Sequence, residues 1–235
     1  KLKSIILALF LALVTAVAAF AAPVPAGKRV IIDQLGRSVV IPQHVQRVVC
    51  LMHHALDITL ELGAGDQLVG VVKNWQGLIS PSIGDIYPRI KTLPTPGTLT
   101  EVNMEELVKL NPDLVIVTHY FPQETIKKIE AAGIPVAAVS LYQADFEQAS
   151  KLNPKLTDPD KAYTIGMRIG VKLLGEIYGK EKEAKKLNDF VADRRSLVGS
   201  KLSDIPDSKK ISCYMANPDL TTYGTGKYVG VIMDR

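Results

Sequence analysis

The pattern of hydrophobic and polar positions predicts alternating strands and helices between residues 28 and 140. Two short alternating runs flank residues 33–36 (DQLG), which is typical of a β-hairpin. Apolar runs then predict strands at residues 47–51, 69–73, 114–118 and 136–140. Between them, patterns of helical period predict helices at residues 55–62, 103–110 and 123–132. This alternation, with a continuous apolar run at 114–118, is typical of a parallel sheet in an α/β fold.

Two long helical patterns follow, at residues 160–178 and 180–202, separated by Gly179. In the second pattern, apolar residues recur at steps of three and four, which predicts one apolar face. A helix of that length spans roughly 30 Å at 1.5 Å per residue, enough to run from one lobe to another. The patterns at 210–216 and 227–235 then predict a strand and a helix that open a second lobe.

These patterns divide the chain into four parts. Residues 1–21 form a leader, residues 22–160 an N-terminal α/β lobe, residues 161–206 a helical connector, and residues 207–235 the start of a C-terminal α/β lobe that is incomplete here. Between residues 74 and 100 the pattern predicts only a long connection rich in Pro and Gly, and long loops of this kind commonly border functional sites. We expect this connection to border the ligand crevice.

The leader has the order of a secretory signal peptide. Lys1 and Lys3 precede an apolar run at 5–20, and small residues at 19–21 place the cleavage after Ala21. A membrane anchor is the alternative, although the run is short for a spanning helix. No cysteine follows the cleavage point to accept a lipid, so the sequence predicts a soluble protein in the periplasm.

Composition narrows the class of protein. The chain is 47% hydrophobic and 22% charged, as in ordinary globular proteins. Two of its 28 Lys and Arg residues lie in the leader, and no basic block remains to indicate nucleic-acid binding.

Cys50 and Cys213 each lie in a predicted strand, which predicts two buried thiols, with a disulfide as the less favoured alternative.

Histidines follow two of the predicted strands directly. His53 and His54 come after the strand at 47–51, and His119 comes after the strand at 114–118. In parallel sheets, ligands bind at the carboxyl ends of the strands, so these side chains are candidates for a ligand crevice. With Met52 and Tyr120 beside them, they would present nitrogen, oxygen and thioether groups to a metal complex. The alternative for each histidine is a capping or surface role.

The chain contains no CxxC or HExxH motif, so the sequence predicts no structural zinc and no intrinsic cofactor. Any metal contact of His53, His54 and His119 would be made through a bound chelate.

The segments RVVCL (47–51), VGV (69–71), NMEELVKLNPDLVIV (103–117) and AAGIPVAAVS (131–140), with a long helix before KKISCYM (209–215), resemble one known family. It is the family of periplasmic substrate-binding proteins of ABC importers for iron-siderophore, haem and cobalamin. The resemblance covers residues 28–235. It implies two Rossmann-like lobes joined by a long rigid helix, a ligand held between them, and no enzymatic activity. It also implies a monomer that delivers a small metal chelate to an ABC permease dimer.

Several further residues are candidates within this resemblance. Trp75 could form a flat wall for a ligand, with Lys73 available to an anionic group, although a packed aromatic is the alternative for Trp75. Glu105 matches the family's exposed glutamate that docks on the permease, with Glu106 as its rival. Either glutamate also stabilises a helix N-terminus. In the second lobe, the candidate ligand-binding residues Tyr214, Met215, Tyr223 and Lys227 flank the end of the first predicted strand. The resemblance implies that the segment at 221–226 lines the ligand cleft.

The leading functional hypothesis from the sequence is capture of an iron-siderophore complex for an ABC importer. Haem, cobalamin and chelated nickel are the alternatives within the family. A periplasmic enzyme with His53 or His119 as general base is a second class, disfavoured because no nucleophile or nucleotide motif accompanies the histidines. An adhesin is a third class, disfavoured because no anchoring segment follows the leader.

Overall fold

The computed structural model describes residues 24–209, 211, 215–216 and 228–233. Its strands are β1 (Lys28–Ile32), β2 (Ser38–Pro42), β3 (Val48–Cys50), β4 (Leu68–Val71), β5 (Leu114–Thr118) and β6 (Val136–Val139). Strands β3 to β6 form a parallel sheet in the order β4-β3-β5-β6. Every residue of β5 is buried, as its continuous apolar run predicts. The α/β fold class and the positions of the strands are confirmed, with ends that differ by one or two residues.

Helices cover both faces of this sheet. The first helices are α1 (His53–Glu61), α2 (Trp75–Leu78), α3 (Ile83–Ile86), α4 (Met104–Lys109), α5 (Gln123–Ala131) and α6 (Phe146–Ala149). The later helices are α7 (Pro159–Tyr178), α8 (Glu181–Leu202) and α9 (Tyr228–Met233). Buried side chains of α1 and α7 pack on one face of the sheet, and those of α4 and α5 pack on the other. Asn103 caps α4 as predicted, because its side chain accepts hydrogen bonds from the backbone N–H groups of Glu105 and Glu106.

The predicted hairpin is formed by β1 and β2, and its turn protects the edge of the sheet at β6. The buried carboxylate of Asp33 accepts hydrogen bonds from the backbone N–H groups of Leu35, Arg37 and Ala138 and from the Arg37 side chain. Several donors, one of them the charged Arg37 guanidinium, therefore satisfy the hydrogen-bonding needs of this buried carboxylate. The hairpin therefore closes an edge that would otherwise expose unpaired backbone groups.

The connection at 74–100 is more ordered than the sequence pattern indicates. It contains α2, α3 and a 3-10 helix at Pro88–Thr92. Trp75 and Ile90, each 3% exposed, anchor it to the core. The sequence pattern does not predict these helices, because segments of four or five residues are too short to show a helical period.

The two long helices differ in their packing. Helix α7 buries eight residues, including Val171, Leu174 and Ile177, whereas α8 buries only Ala184. The apolar face predicted for α8 is present, but within the described structure its residues Phe190 and Val198 are 60% and 50% exposed. The helix that packs beside the N-terminal lobe is therefore α7, and most of α8 is exposed in the described structure.

Among the described residues, no helix combines the length and the apolar character that a membrane span requires. The predicted leader, most of the predicted strand at 210–216, and Cys213 lie outside the described residues. Cys50 is buried and free, as predicted, and burial raises the pKa of its thiol to about 12. The division into four parts remains a prediction.

Candidate functional site

Parallel pairing of β3 with β5 brings the histidines of both strand ends to one edge of the sheet. His53 and His54 are the first two residues of α1, and Met52 before them has an extended backbone. The ring centroids of His53 and His54 lie 3.9 Å apart at an angle of 40°. His119 follows β5 directly, and its side chain lies close enough to His54 for the two rings to interact electrostatically. We call His53, His54 and His119 the histidine cluster.

Tyrosine rings enclose the buried member of the cluster. His119 is 8% exposed, and its ring meets Tyr120 edge-on at 4.8 Å and Tyr142 at 5.0 Å between centroids. Burial raises the pKa of both tyrosines, so both hydroxyls stay protonated at neutral pH. The hydroxyl of Tyr142 donates a hydrogen bond to the carbonyl oxygen of Ala149 at 3.0 Å. Tyr142 is therefore held as a fixed wall beside His119.

Sequence reasoning missed Tyr142, although the residue follows a strand in the same way as the histidines. It lies just beyond β6, where Leu141 has a φ of 58° and the chain turns sharply under α7. A Cβ atom at Gly166 of α7 would lie only 2.0 Å from the Cα atom of Tyr142, so only glycine permits this approach. Two features of the sequence could have indicated Tyr142: its position just after β6, and a glycine, Gly166, in the helix α7 that crosses this position.

Buried ring nitrogens of the cluster lack ordinary partners. Among the described residues, Nδ1 of His53 and both ring nitrogens of His119 are buried without a hydrogen bond of normal geometry. The backbone carbonyl groups of Val139 and Lys151 face the His119 ring and favour its protonated form, but less than burial opposes it. Buried polar atoms in native proteins are almost always hydrogen-bonded, so such nitrogens are candidates for contact with a ligand.

The cluster is uncharged at neutral pH. Burial is the main cause, and repulsion from His54 a smaller one, that lowers the pKa of His53 and of His119 from 6.5 to about 4. Burial also lowers the pKa of His54, against the opposing effect of Asp57. A neutral imidazole carries one N–H donor and one acceptor nitrogen. The cluster therefore offers directed hydrogen-bonding groups without fixed charge.

Other predicted site residues lie elsewhere in the structure. Trp75 packs in the hydrophobic core, which agrees with the packed alternative that the sequence left open. Met52 is buried at 3% exposure, and its backbone carbonyl accepts a hydrogen bond from Leu56. Lys73 is exposed and lines an open groove together with Lys128. Direct contact of Met52, Lys73 or Trp75 with a ligand stays a prediction.

Glu105 is exposed in the first turn of α4, where its carboxylate pairs with Lys109 at 2.6 Å. Met215, from the second-lobe candidates, is 49% exposed. Tyr214, Tyr223 and Lys227 lie outside the described residues. Within the described part of the chain, no group of three or more His, Cys, Asp or Glu side chains could hold a metal ion. Contact of the histidines with a metal through a bound chelate stays a prediction.

Comparison with known proteins identifies the family. The model of the periplasmic binding protein family matches residues 48–235. The chain belongs to the periplasmic binding protein family. Its members that resemble this chain bind solutes and are not enzymes, which confirms the prediction of a non-enzymatic protein.

The chain is similar to the molybdate-binding protein MolA of Haemophilus influenzae, with 41% identity over 234 residues. That match covers 100% of this chain and 65% of the relative, so the chain spans just under two thirds of MolA. The solved structure of MolA bound to molybdate matches with a TM-score of 0.85 and 42% identity, over 88% of this chain and 63% of that one.

The chain is also similar to more distant relatives. An ABC transporter substrate-binding lipoprotein of Bacillus subtilis, YvrC, is 28% identical over 200 residues, which cover 83% of this chain and 54% of YvrC. The solved petrobactin-binding protein YclQ of the same organism has a TM-score of 0.62 at 18% identity, over 88% of this chain and 64% of that one. At that identity the likeness shows the fold alone.

Proposed function

We propose that this protein captures a small tetrahedral oxyanion, with molybdate as the first candidate, and delivers it to an ABC importer. The observation that carries the proposal is the 41% identity with a molybdate-binding protein over the whole of this chain. The match to that protein's molybdate-bound structure, with a TM-score of 0.85, supports it.

The chemistry of the histidine cluster is compatible with such a ligand. Molybdate presents four oxygen acceptors, and each neutral imidazole supplies one N–H donor. In a desolvated site, such donors stabilise an anion more strongly than they would in water. The buried nitrogens of His53 and His119 would then gain the partners that they lack in this structure.

The iron-siderophore hypothesis from the sequence is not confirmed. Relatives named for iron uptake or siderophores are 32% and 30% identical, over only 52% and 48% of this chain. A bulky chelate also needs a broad contact surface, and the ring of Trp75 is packed in the core instead of forming one. Molybdate therefore takes first place, and iron-siderophore, haem, cobalamin and chelated nickel become competitors in the test.

Calorimetric titration of the complete protein tests the substrate. We expect saturable binding of one molybdate, and of the isosteric tungstate, per protein molecule. Sulfate and phosphate test whether other tetrahedral anions compete, and a ferric siderophore, haemin, cyanocobalamin and a nickel–histidine complex test the alternatives. Saturable binding of an iron chelate without any heat from molybdate would overturn the proposal.

Delivery requires contact with an ABC permease dimer in the inner membrane, and we propose Glu105 as one contact. Its ion pair with Lys109 joins side chains that are 78% and 69% exposed, so it contributes little and leaves the carboxylate available. The proposal includes a monomer in the periplasm that is secreted through a cleavable signal peptide. N-terminal sequencing of periplasmic material tests the predicted cleavage after Ala21.

A further inference from the structure

An open groove of about 790 Å³ lies between the loop at 95–104 and helix α5. Its lining includes Lys73, Thr98, Glu101, Glu106, Thr125 and Lys128, and none of the three histidines. We call it the Lys128 groove. It begins beside α4, the helix that carries Glu105. The groove is therefore a surface separate from the histidine cluster.

The loop that forms one wall of the groove is held by many hydrogen bonds. The backbone N–H of Lys73 donates to Gly97, that of Thr98 donates to Glu101, and that of Asn103 donates to Pro96, at 2.7 to 2.8 Å. A Cβ atom at Gly97 would lie 2.4 Å from the carbonyl oxygen of Glu101, so the loop folds tightly on itself. A wall fixed in this way is pre-organised, which lowers the entropic cost of binding a partner.

A second anchor ties this loop to the sheet. The hydroxyl of Thr118, at the end of β5, donates to the carbonyl oxygen of Leu99 at 2.9 Å. His119 is the next residue of the chain. The end of β5 therefore holds both the groove loop and His119 in place, although no histidine of the cluster lines the groove.

The charges of the groove are exposed and of both signs. Glu101 and Glu106 lie on the wall formed by the loop and α4, and Lys128 lies on the α5 wall. Among the described residues, neither carboxylate nor the Lys128 ammonium group enters a salt bridge, whereas the adjacent Glu105 and Lys127 both do. A small free anion would meet two carboxylates here, and a small cation would meet Lys73 and Lys128. The pattern instead suits a polypeptide segment that carries charges of both signs.

We propose that the Lys128 groove is part of the docking surface for the permease. It takes a permease segment that places a basic side chain against Glu101 and Glu106 and an acidic side chain against Lys128. This inference rests on the proposed function, because it requires delivery to a membrane importer. It goes beyond the contact proposed for Glu105, because it assigns Glu106 and Lys128 to the interface. Both line one groove, and neither enters a salt bridge among the described residues.

The test measures binding of the complete, molybdate-loaded protein to its permease in lipid nanodiscs by biolayer interferometry. We expect Glu106→Lys and Lys128→Glu each to weaken docking by about tenfold, because each places a like charge against the partner. Lys127→Glu is the matched control for Lys128→Glu. It reverses a neighbouring charge on the same helix, outside the groove, and should dock within twofold of the parent.

Molybdate titration of the same variants separates the two proposals. Unchanged molybdate affinity together with weakened docking supports the groove as a docking surface. Docking of Lys128→Glu and Glu106→Lys within twofold of the parent would overturn the inference, even where Glu105→Lys abolishes docking and the delivery function stands. If the parent does not bind molybdate but docks through the groove, the substrate proposal fails and this inference survives.

Sedimentation of the free protein tests whether a second copy of this chain occupies the groove. A dimer that dissociates in Lys128→Glu would assign the groove to contact between two copies of this chain, and would overturn the inference.

Discussion

The histidine cluster and the Lys128 groove lie near the ends of the same parallel strands but use opposite physical designs. The cluster combines the buried ring of His119 with the half-buried ring of His53 and the exposed ring of His54, and lowered pKa values leave the rings uncharged at neutral pH. Three of its buried nitrogens have no hydrogen-bond partner among the described residues. The groove contains exposed, charged side chains on a loop whose backbone is extensively hydrogen-bonded. Removing water strengthens hydrogen bonds to a small ligand, whereas exposed charges chiefly direct the encounter with a large partner. The difference shows how one edge of a sheet can serve both capture and delivery.

The largest effect that we expect comes from the support of the cluster. Gly166→Ala places a methyl group against the backbone of Tyr142 and should lower the free energy of unfolding by about 3 kcal/mol, as for severe overpacking. Gly199→Ala is the control, since a Cβ there meets only open space on exposed α8, and it should stabilise the protein by about 0.5 to 1 kcal/mol. Urea unfolding measures both. Equal stability of the two variants would remove the argument that Gly166 positions Tyr142.

Removing a ring from the cluster should weaken capture of molybdate. We expect at least one of His53→Ala, His54→Ala and His119→Ala to lose about 1.5 to 3 kcal/mol of binding free energy, or roughly tenfold to a hundredfold in affinity. His44→Ala is the matched control, because His44 is exposed and lies outside the cluster. Calorimetric titration gives the affinities. If all three cluster variants bind molybdate within twofold of the parent, the histidines are structural.

Acid should destabilise the protein through the buried His119 of the cluster. The pKa of His119 is lowered to about 4 in the folded protein and is 6.5 when unperturbed, so both states are neutral above about pH 7. Between pH 6.5 and about pH 4, the ring is protonated in the unfolded chain but not in the folded protein. The free energy of unfolding therefore decreases as the pH is lowered, until the folded ring is also protonated. At pH 5.5 this loss amounts to about 1.4 kcal/mol relative to neutral pH.

The measurement for this prediction is urea unfolding at pH 7.5 and 5.5, in the parent and in His119→Gln. The glutamine variant should lose less stability between the two pH values, by the same amount of about 1.4 kcal/mol. Identical pH profiles would show that His119 does not carry the effect.

The smallest expected effect on stability and on molybdate affinity comes from Glu105, the proposed contact with the permease. Glu105→Lys should leave molybdate affinity and stability almost unchanged, within about 0.5 kcal/mol, because its ion pair with Lys109 is exposed. Uptake of molybdate by cells should nevertheless fall severalfold, since the reversed charge opposes the partner. Glu183→Lys, at an exposed position in the first turn of α8, is the matched control for uptake. Loss of molybdate binding in a folded Glu105→Lys variant would contradict the separation of the two surfaces.

Local patterns in the sequence determined the α/β lobe and the position of the histidines. Buried strands have continuous apolar runs, and parallel strands place the residues that follow them at one edge of the sheet, so His53, His54 and His119 could be assigned to one region. Asn103 could be assigned as a cap for the same reason, because capping depends on residues only two and three positions away. The family also follows from the order and spacing of these segments.

Tertiary structure alone decided the features that depend on distant contacts. Trp75 lies in the core and the ring of Tyr142 contacts that of His119, and neither contact is visible in the local sequence pattern. Gly166 permits α7 to cross close to Tyr142, which lies more than twenty residues away in sequence. The shared groove of Glu106 and Lys128 likewise depends on where these side chains lie in space, since they belong to different helices. Helical periodicity predicted an apolar face on α8 but not its exposure, since burial is set by the elements that pack against a helix and not by the helix itself.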